Sequence, residues 1–463
     1  MSSKTCGVAL GLTTALVGAL AAVPARADFP SALREFNAGH YEAAQAQFLA
    51  LAELGDCSSQ FNLGAMALKG QGGPKDTGGG VGWLEAAAGN GCAQLVGEKL
   101  APLKARLTEA ESRAAEGIVG RYGHEALRTQ GVLSPSFTCP GETPASVLES
   151  PAPESPPGRS RENAIVIVGL TVGVDGRARD PETLLALPES GFPAAAVEAW
   201  LNARFAPATR AGAPVESRLE AVRVFEVAAS GGLAASELYR SARQRADAGD
   251  AASRYLVGLS ATLDSSLGVP YAQAGQMLLT SARDGDARAQ YWVGSQLRTS
   301  AACHPQADGA IWLRHAAAGG SAAAQLLEAQ QLLAGQPSAA QIAQARELLT
   351  RAARADDYHV KKHIVVLLAA SPYEAVRDAP AALTLAKQLA AGEIQSDPQM
   401  FEAVAAAYAA SGDFRLAAGQ QQVAIRKAQS LGWNTRAMSE RLATYRASKP
   451  WRGELLALAP LSP

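Results

Sequence analysis

Residues 249–258 read Gly-Asp-Ala-Ala-Ser-Arg-Tyr-Leu-Val-Gly, and residues 285–294 repeat this pattern as Gly-Asp-Ala-Arg-Ala-Gln-Tyr-Trp-Val-Gly. Weaker copies of the pattern begin at Gly320 and, near the N-terminus, at Gly55. Recurrence at a spacing of about 35 residues is the signature of one supersecondary unit that is used several times along a chain. This repeat decides the expected fold class.

Each copy has the composition of two short helices joined by a turn. Apolar residues at helical spacing give each helix one apolar face, and small residues let neighbouring helices approach closely. Glycines end one helix and permit the reversal into the next. One such hairpin cannot bury its apolar face alone, so we expect the hairpins to stack as an α-solenoid. The predicted repeat-core residues are Phe61, Leu63, Gly64, Trp83, Ala87, Leu256, Gly258, Trp292, Gly294, Trp312 and Ala316.

The pattern resembles the Sel1-like repeat, a relative of the tetratricopeptide repeat. The resemblance covers residues 56–91 and 250–325, and less clearly 325–395. Residues 37–44 and 406–417 are more similar to ordinary tetratricopeptide units. Proteins with these repeats are mostly adaptors, so the resemblance implies protein binding rather than catalysis.

Residues 162–228 interrupt the helical pattern with a small α+β module. The β-branched, apolar run 164–172 is typical of a buried strand, and Asp175-Gly176 signals the hairpin that leads to a second strand. Phe192-Pro193 opens a helix, and a last strand is expected over 215–227. The predicted module core consists of Val168, Leu170, Trp200, Phe205 and Pro207.

The module resembles the C-terminal domain of TonB-type energy transducers. The resemblance rests on residues 170–172, 175–177, 195–200, 205–208 and 212–215, which include Asp-Gly-Arg, Phe-Ala-Pro-Ala and Gly-Ala-Pro-Val. The Tyr-Pro pair that opens the domain in true transducers is replaced by Gly-Arg-Ser-Arg. The resemblance implies a domain whose sheet edge pairs with partner strands.

The N-terminal 27 residues have the pattern of a secretory signal peptide. Lys4 precedes a run of about 17 apolar residues, and Ala25-Arg26-Ala27 offers a cleavage site. An uncleaved anchor is the alternative, and no later stretch is apolar and long enough to span a bilayer. We therefore expect a periplasmic protein of a Gram-negative bacterium, without an integral membrane segment after cleavage.

Export makes disulfides the expected state of the four remaining cysteines, Cys57, Cys92, Cys139 and Cys303. Four cysteines allow three pairings, among which sequence cannot choose. Cys57 and Cys92 lie near the starts of successive repeats, where facing Cα atoms of packed helices come to roughly 5 Å. A Cys57–Cys92 bond is thus geometrically reasonable and would leave Cys139 for Cys303.

Seven of the 25 prolines lie within 133–160, so this segment is expected to form neither a helix nor a sheet ladder. The predicted fold class is mainly α, a solenoid with an inserted α+β module. The predicted units are a signal peptide (1–27), N-terminal helical repeats (28–130), a proline-rich linker (131–161), the TonB-like module (162–228) and a C-terminal solenoid (229–463).

Motifs that carry catalysis are missing from the sequence: it has no nucleophile elbow and no phosphate-binding loop motif. The glycines of 70–73 and 78–80 follow a helix and are interpreted as a turn. His359 and His363 have the helical spacing of zinc ligands, but two lysines lie between them and would repel a cation. We interpret this stretch as a solvated helix face, and assign no catalytic, cofactor or metal residue.

The expected function is that of a non-enzymatic scaffold that binds other proteins or peptides of the cell envelope. The 42 basic and 43 acidic residues nearly balance, so no basic field for nucleic acid exists. One alternative is a TonB-like energy-transducing component, which requires an uncleaved N-terminal helix. Another is a cell-wall hydrolase, which requires a polar catalytic cluster in a cleft.

Overall fold

The computed structural model describes residues 28–133, 141–226, 234, 236–299 and 309–456. These residues are mainly helical, with small antiparallel sheets between two helical regions. This arrangement agrees with the predicted fold class at the level of a mainly α chain that carries an α+β insertion. The predicted signal peptide lies outside the described residues.

The N-terminal helical region contains α1 (Phe29–Asn37), α2 (Tyr41–Ala52), α3 (Cys57–Lys69), α4 (Thr77–Ala87), α5 (Ala93–Val96), α6 (Leu100–Lys104), α7 (Glu109–Tyr122) and α8 (His124–Thr129). The middle region contains β1 (Glu142–Thr143), β2 (Ser146–Glu149), β3 (Ala164–Val172), β4 (Ala178–Leu187), α9 (Pro193–Leu201), β5 (Arg204–Ala206), β6 (Ala208–Arg210), β7 (Ala213–Val215) and β8 (Ser217–Phe225).

The C-terminal helical region contains α10 (Glu237–Asp247), α11 (Ala251–Leu263), α12 (Tyr271–Arg283), α13 (Ala287–Thr299), α14 (Ala310–Ala318), α15 (Ala322–Leu332), α16 (Ala339–Ala352), α17 (Tyr358–Ala370), α18 (Ala379–Ala391), α19 (Pro398–Ala410), α20 (Phe414–Ser430) and α21 (Arg436–Arg446). Within the part of the chain that the structure describes, no helix combines the length and apolar character needed to span a bilayer.

The Gly-Asp-Ala element of the sequence forms a corner between two helices. Gly285 has a φ of 100°, a left-handed conformation that favours glycine, and it follows the last turn of α12. The side chain of Asp286 then accepts a hydrogen bond from the backbone N–H of Ala289 (3.0 Å), which caps the start of α13. One short element therefore ends one helix and begins the next.

A buried glutamine recurs at these corners. Gln60, Gln290 and Gln325 each donate a side-chain hydrogen bond to a carbonyl eight residues earlier, at 3.1, 3.0 and 2.9 Å. Each acceptor lies in the last turn of the preceding helix, where carbonyls have no partner within the helix. The three corners are thus built alike in both helical regions.

Close helix contact depends on one glycine in each hairpin. A Cβ added at Gly64 would lie 2.8 Å from Cγ of Leu84, and one added at Gly294 would lie 2.7 Å from Cγ of Leu313. Gly258 approaches α12 in the same way. These contacts join α3 to α4, α11 to α12 and α13 to α14.

The main sheet has the order β4-β3-β8 and is antiparallel throughout. Every residue of the central strand β3 is buried. One face, with Ile165 and Ile167, shares a core with α11–α13, whereas the other face packs on α9 and α20. The two-sided burial explains why β3 reads as a continuous apolar run rather than an alternating one.

Two sequence interpretations need correction. The proline-rich segment does form ladders, because β1 pairs with β6 and β2 pairs with β5. Residues 145–149 contain no proline and are free to pair. The glycines of 78–80 are not a turn but the buried first turn of α4, where a Cβ on Gly78 would lie 2.6 Å from the carbonyl oxygen of Glu111 in α7.

Candidate functional site

The strongest concentration of buried charge lies where β4 meets α17 and the start of α19. β4 bulges there: Gly169 pairs with Glu182 and Thr171 with Arg179, which leaves Asp180 and Pro181 opposite a single residue of β3. Asp180 has a φ of 50°, in the left-handed region. Proline has no backbone N–H to donate to a sheet ladder, and a bulge is one of the positions in a strand where no such donor is required.

The bulge brings Asp180 against three side chains of α17. Its Oδ1 atom lies 2.8 Å from Nε2 of His363, 3.0 Å from Nζ of Lys362 and 3.4 Å from Nδ1 of His359. Nζ of Lys362 also lies 2.8 Å from Oδ2 of Asp397. We call these five residues the Asp180 cluster.

Hydrogen bonds from α19 and α17 hold the backbone of Asp180 and the carboxylate of Asp397. Gln399 accepts the backbone N–H of Asp180 (2.8 Å) and donates its own backbone N–H to Oδ1 of Asp397 (2.9 Å). The hydroxyl of Tyr358 donates to Oδ2 of Asp397 (2.9 Å). Both aspartates are thus held by partners from separate elements, so the cluster is rigidly positioned.

The pKa values of the cluster follow from burial and from its opposite charges. Burial alone would raise the pKa of Asp180, but the surrounding imidazoles and ammonium group outweigh it, and the pKa lies well below its usual value. Burial would lower the pKa of Lys362, but Asp397 and Asp180 raise it overall. We therefore expect Asp180 and Lys362 to be charged at neutral pH.

The two histidines of the cluster differ. Burial lowers the pKa of both rings, and for His363 this effect prevails. For His359 the carboxylates of Asp180 and Glu182 prevail, and its pKa is raised. His359 is influenced by a second carboxylate, that of Glu182, whereas His363 is near Asp180 but is opposed by the charge of His359.

The interpretation of His359 and His363 as a solvated helix face is wrong. Both side chains are buried, and so is Lys362, which has no exposed surface at all. The residue that covers this face is Asp180, 183 positions away from His363. Nothing in the local spacing of α17 could indicate a partner from a strand so distant in sequence.

An apolar cavity of about 320 Å³ adjoins His363. It lies between α15, α17 and the C-terminal segment, and its apolar lining includes Leu333, Val366, Leu367 and Leu455. The Asp180 cluster thus lies beside an apolar space rather than in an open polar cleft.

A second polar cluster lies between the sheet and α13. Trp292 donates from Nε1 to Oε1 of Glu220 (2.6 Å), and Gln296 donates to the same oxygen. Glu182 forms an ion pair with Arg218. We call these residues, together with Tyr291, whose hydroxyl lies 3.3 Å from Glu182, the Glu220 cluster.

Glu220 meets mostly neutral donors. Burial raises its pKa to about 7, and the hydrogen bonds from Trp292 and Gln296 and the charge of Arg218 offset only part of this effect. The Glu220 carboxyl is therefore partly protonated near neutral pH, unlike that of Asp180.

The predicted Cys57–Cys92 disulfide is present, with a Cα–Cα distance of 5.6 Å. It joins the start of α3 to the segment that follows α4. Cys139 and Cys303 lie outside the described residues, as does the pairing expected for them.

The other predicted site residues are placed as follows. Leu63, Gly64, Trp83, Ala87, Gly258, Trp292, Gly294, Trp312 and Ala316 are buried, whereas Phe61 and Leu256 are half-buried. In the module, Val168, Leu170, Trp200 and Phe205 are buried and Pro207 is half-buried. Trp292 was predicted only as a core residue, but it also donates a hydrogen bond to Glu220 of the sheet.

No protein-family profile matches this chain, and no curated protein resembles it significantly.

Proposed function

We propose that the protein is an exported, periplasmic scaffold that binds other proteins or peptides of the cell envelope and has no catalytic role. Two surfaces would serve this function. Stacked helix hairpins of the solenoid type offer one, and the sheet of the TonB-like module offers the other.

The outer edge of β8, the last strand of the sheet, carries this proposal. All nine residues of β8 pair with β3 on one side, and no described strand pairs on its other side. An edge strand of this length presents a row of backbone donors and acceptors that an extended peptide can complete.

The packing of the sheet supports the same function. Helices cover both of its faces, so the edge strand is held in a fixed position. A preformed edge loses little conformational entropy when a partner strand is added.

Site-specific photocrosslinking in intact cells tests the proposal. A photoreactive residue in place of the exposed Glu226, which directly follows β8, is expected to give adducts of defined mass, and the same residue in place of the exposed Leu238 on α10 serves as the control. Adducts from the control position alone, or from neither position, would contradict a role for the β8 edge.

Sequencing of the mature N-terminus tests the location. A chain that starts at Asp28 is expected for an exported protein that is released from the membrane. Retention of the first 27 residues would instead favour the energy-transducing alternative, because that activity requires an anchored helix.

A further inference from the structure

We propose that His359, His363 and Asp180 form a binding site for one divalent transition-metal ion of the zinc class. The inference goes beyond the proposed scaffold function and is independent of it. It rests on the geometry of the Asp180 cluster.

The ligand atoms already converge. One atom from each of the three residues lies within 4.8 Å of the others, and all three residues are buried. Two imidazoles from successive turns of one helix, joined by a carboxylate from another element, form a recurrent ligand set for such metals. Imidazole nitrogen favours zinc, cobalt or nickel over magnesium and calcium, which prefer oxygen.

One ligand atom lacks a hydrogen-bond partner. Nδ1 of His359 is buried and forms no hydrogen bond of good geometry, since its contact with Oδ1 of Asp180 is long, at 3.4 Å. A buried polar atom without a partner is uncommon in proteins and calls for an explanation. Coordination to a metal would supply the missing partner.

Lys362 acts as a competitor that the site can displace. Its ammonium group lies near Asp180, but it lies slightly closer to Asp397, which can retain it when a metal takes Asp180. With Lys362 retained by Asp397, the carboxylate of Asp180 is left to the imidazoles and to the metal. A metal ion that binds there takes the place of any proton on an imidazole nitrogen, so that proton is released.

Metal binding would tie the module to the C-terminal helices. Asp180 belongs to β4 of the module, whereas both histidines belong to α17. A metal that binds only the folded arrangement stabilises it, so the melting temperature should rise with metal concentration.

Cobalt(II) titration of the tag-free mature protein tests the proposal. We expect one Co²⁺ per chain, with visible absorption bands of a nitrogen-ligated site that zinc abolishes by displacement. The variants His363→Ala and Asp180→Asn are expected to weaken binding at least tenfold, and Lys362→Met to strengthen it. His124→Ala, which removes an exposed imidazole on α8, should have no effect.

X-ray absorption of the unaltered, zinc-loaded protein provides a readout that no substitution can disturb. Two imidazole nitrogens and a carboxylate oxygen are expected around the metal. Absence of stoichiometric binding, a ligand set without imidazole, or undiminished affinity in a folded His359→Ala/His363→Ala variant would overturn the proposal.

Discussion

The N-terminal and C-terminal helical regions turn the same corner with the same residues but are restrained by different means. At each corner a left-handed glycine ends one helix, and Gln60 in the first region matches Gln290 and Gln325 in the second. The N-terminal region then has a disulfide across its hairpin. The C-terminal region instead has a sheet and two buried polar clusters packed against it.

The difference shows that local sequence sets the hairpin, whereas longer-range contacts hold it in place. A disulfide acts by limiting the unfolded chain. Buried ion pairs act within the folded state and are effective only when every charge has its partner. The two regions also share a core, in which Leu54, Leu127 and Leu133 pack with residues of α11–α13. Each substitution is therefore expected to act most strongly, though not exclusively, in its own region.

The largest effect is expected from Lys362→Met. The substitution leaves Asp180 and Asp397 buried without their shared ammonium group, so unfolding should become easier by about 3–5 kcal/mol. Urea unfolding measures the loss, and hydrogen exchange should place it in α17 and α19.

Lys361→Met is the matched control on the same helix. Lys361 pairs with the exposed Asp356, so the loss of this ion pair should lower the free energy of unfolding by less than about 1 kcal/mol. Equal losses in the two variants would mean that the buried cluster contributes nothing special to the C-terminal region.

Cys57→Ser tests the restraint of the other region. The disulfide closes a loop across 35 positions, and its removal is expected to cost about 3–4 kcal/mol through the freed unfolded chain. Backbone hydrogen exchange should become faster in α3 and α4 but not in α17. Reduction of the unaltered protein should give the same pattern; equal acceleration in α17 would show that the disulfide does not act most strongly in its own region.

Glu220→Gln should change the pH dependence of stability. The pKa of Glu220 is about 7 in the folded protein, against its usual value of 4.5, so between these pH values the folded state alone retains the proton. Rising pH therefore destabilises the unaltered protein, and the neutral glutamine removes this loss. At pH 8 the free energy of unfolding of the variant should exceed that of the unaltered protein by up to roughly 3 kcal/mol. At pH 4 the two proteins should be equally stable.

Glu149→Gln, at an exposed position of β2, serves as the control for the loss of a carboxylate and should change the free energy of unfolding by less than about 0.5 kcal/mol. The Asp180 cluster should make stability depend on pH in the opposite direction. The pKa of Asp180 is lowered in the folded protein, so the stability that its charged form contributes is lost as the pH falls. A pH profile of Glu220→Gln that parallels that of the unaltered protein would contradict a protonated Glu220.

The smallest effects are expected at the glycines that both regions share. Gly294→Ala and Gly64→Ala each place a Cβ within 3 Å of a leucine and should destabilise the protein by about 1–3 kcal/mol. In Gly275→Ala, on α12, the added Cβ has no atom within 4 Å, so the substitution should stabilise the protein by roughly 0.5–1 kcal/mol. Thermal melts of the three variants test whether the two hairpins are equivalent.

The sequence by itself determined the helices, their corners and the insertion. The glycines and caps that end and begin helices act over a few residues, and the apolar run of β3 had the composition of a buried strand. The sequence left three cysteine pairings open, and the Cys57–Cys92 bond, which repeat spacing made geometrically reasonable, is present. These features were predictable because each depends on residues that lie within one helix or strand or in neighbouring elements of the chain.

The candidate site was decided only by the tertiary structure. The histidines of α17 were noticed from their spacing, but their partner Asp180 comes from a bulge in a strand 183 positions earlier than His363. Glu220 likewise meets Trp292 only because the sheet packs on α13. Burial and charge pairing depend on which surfaces meet in space, and periodicity within one helix carries no information about a surface that another element will cover.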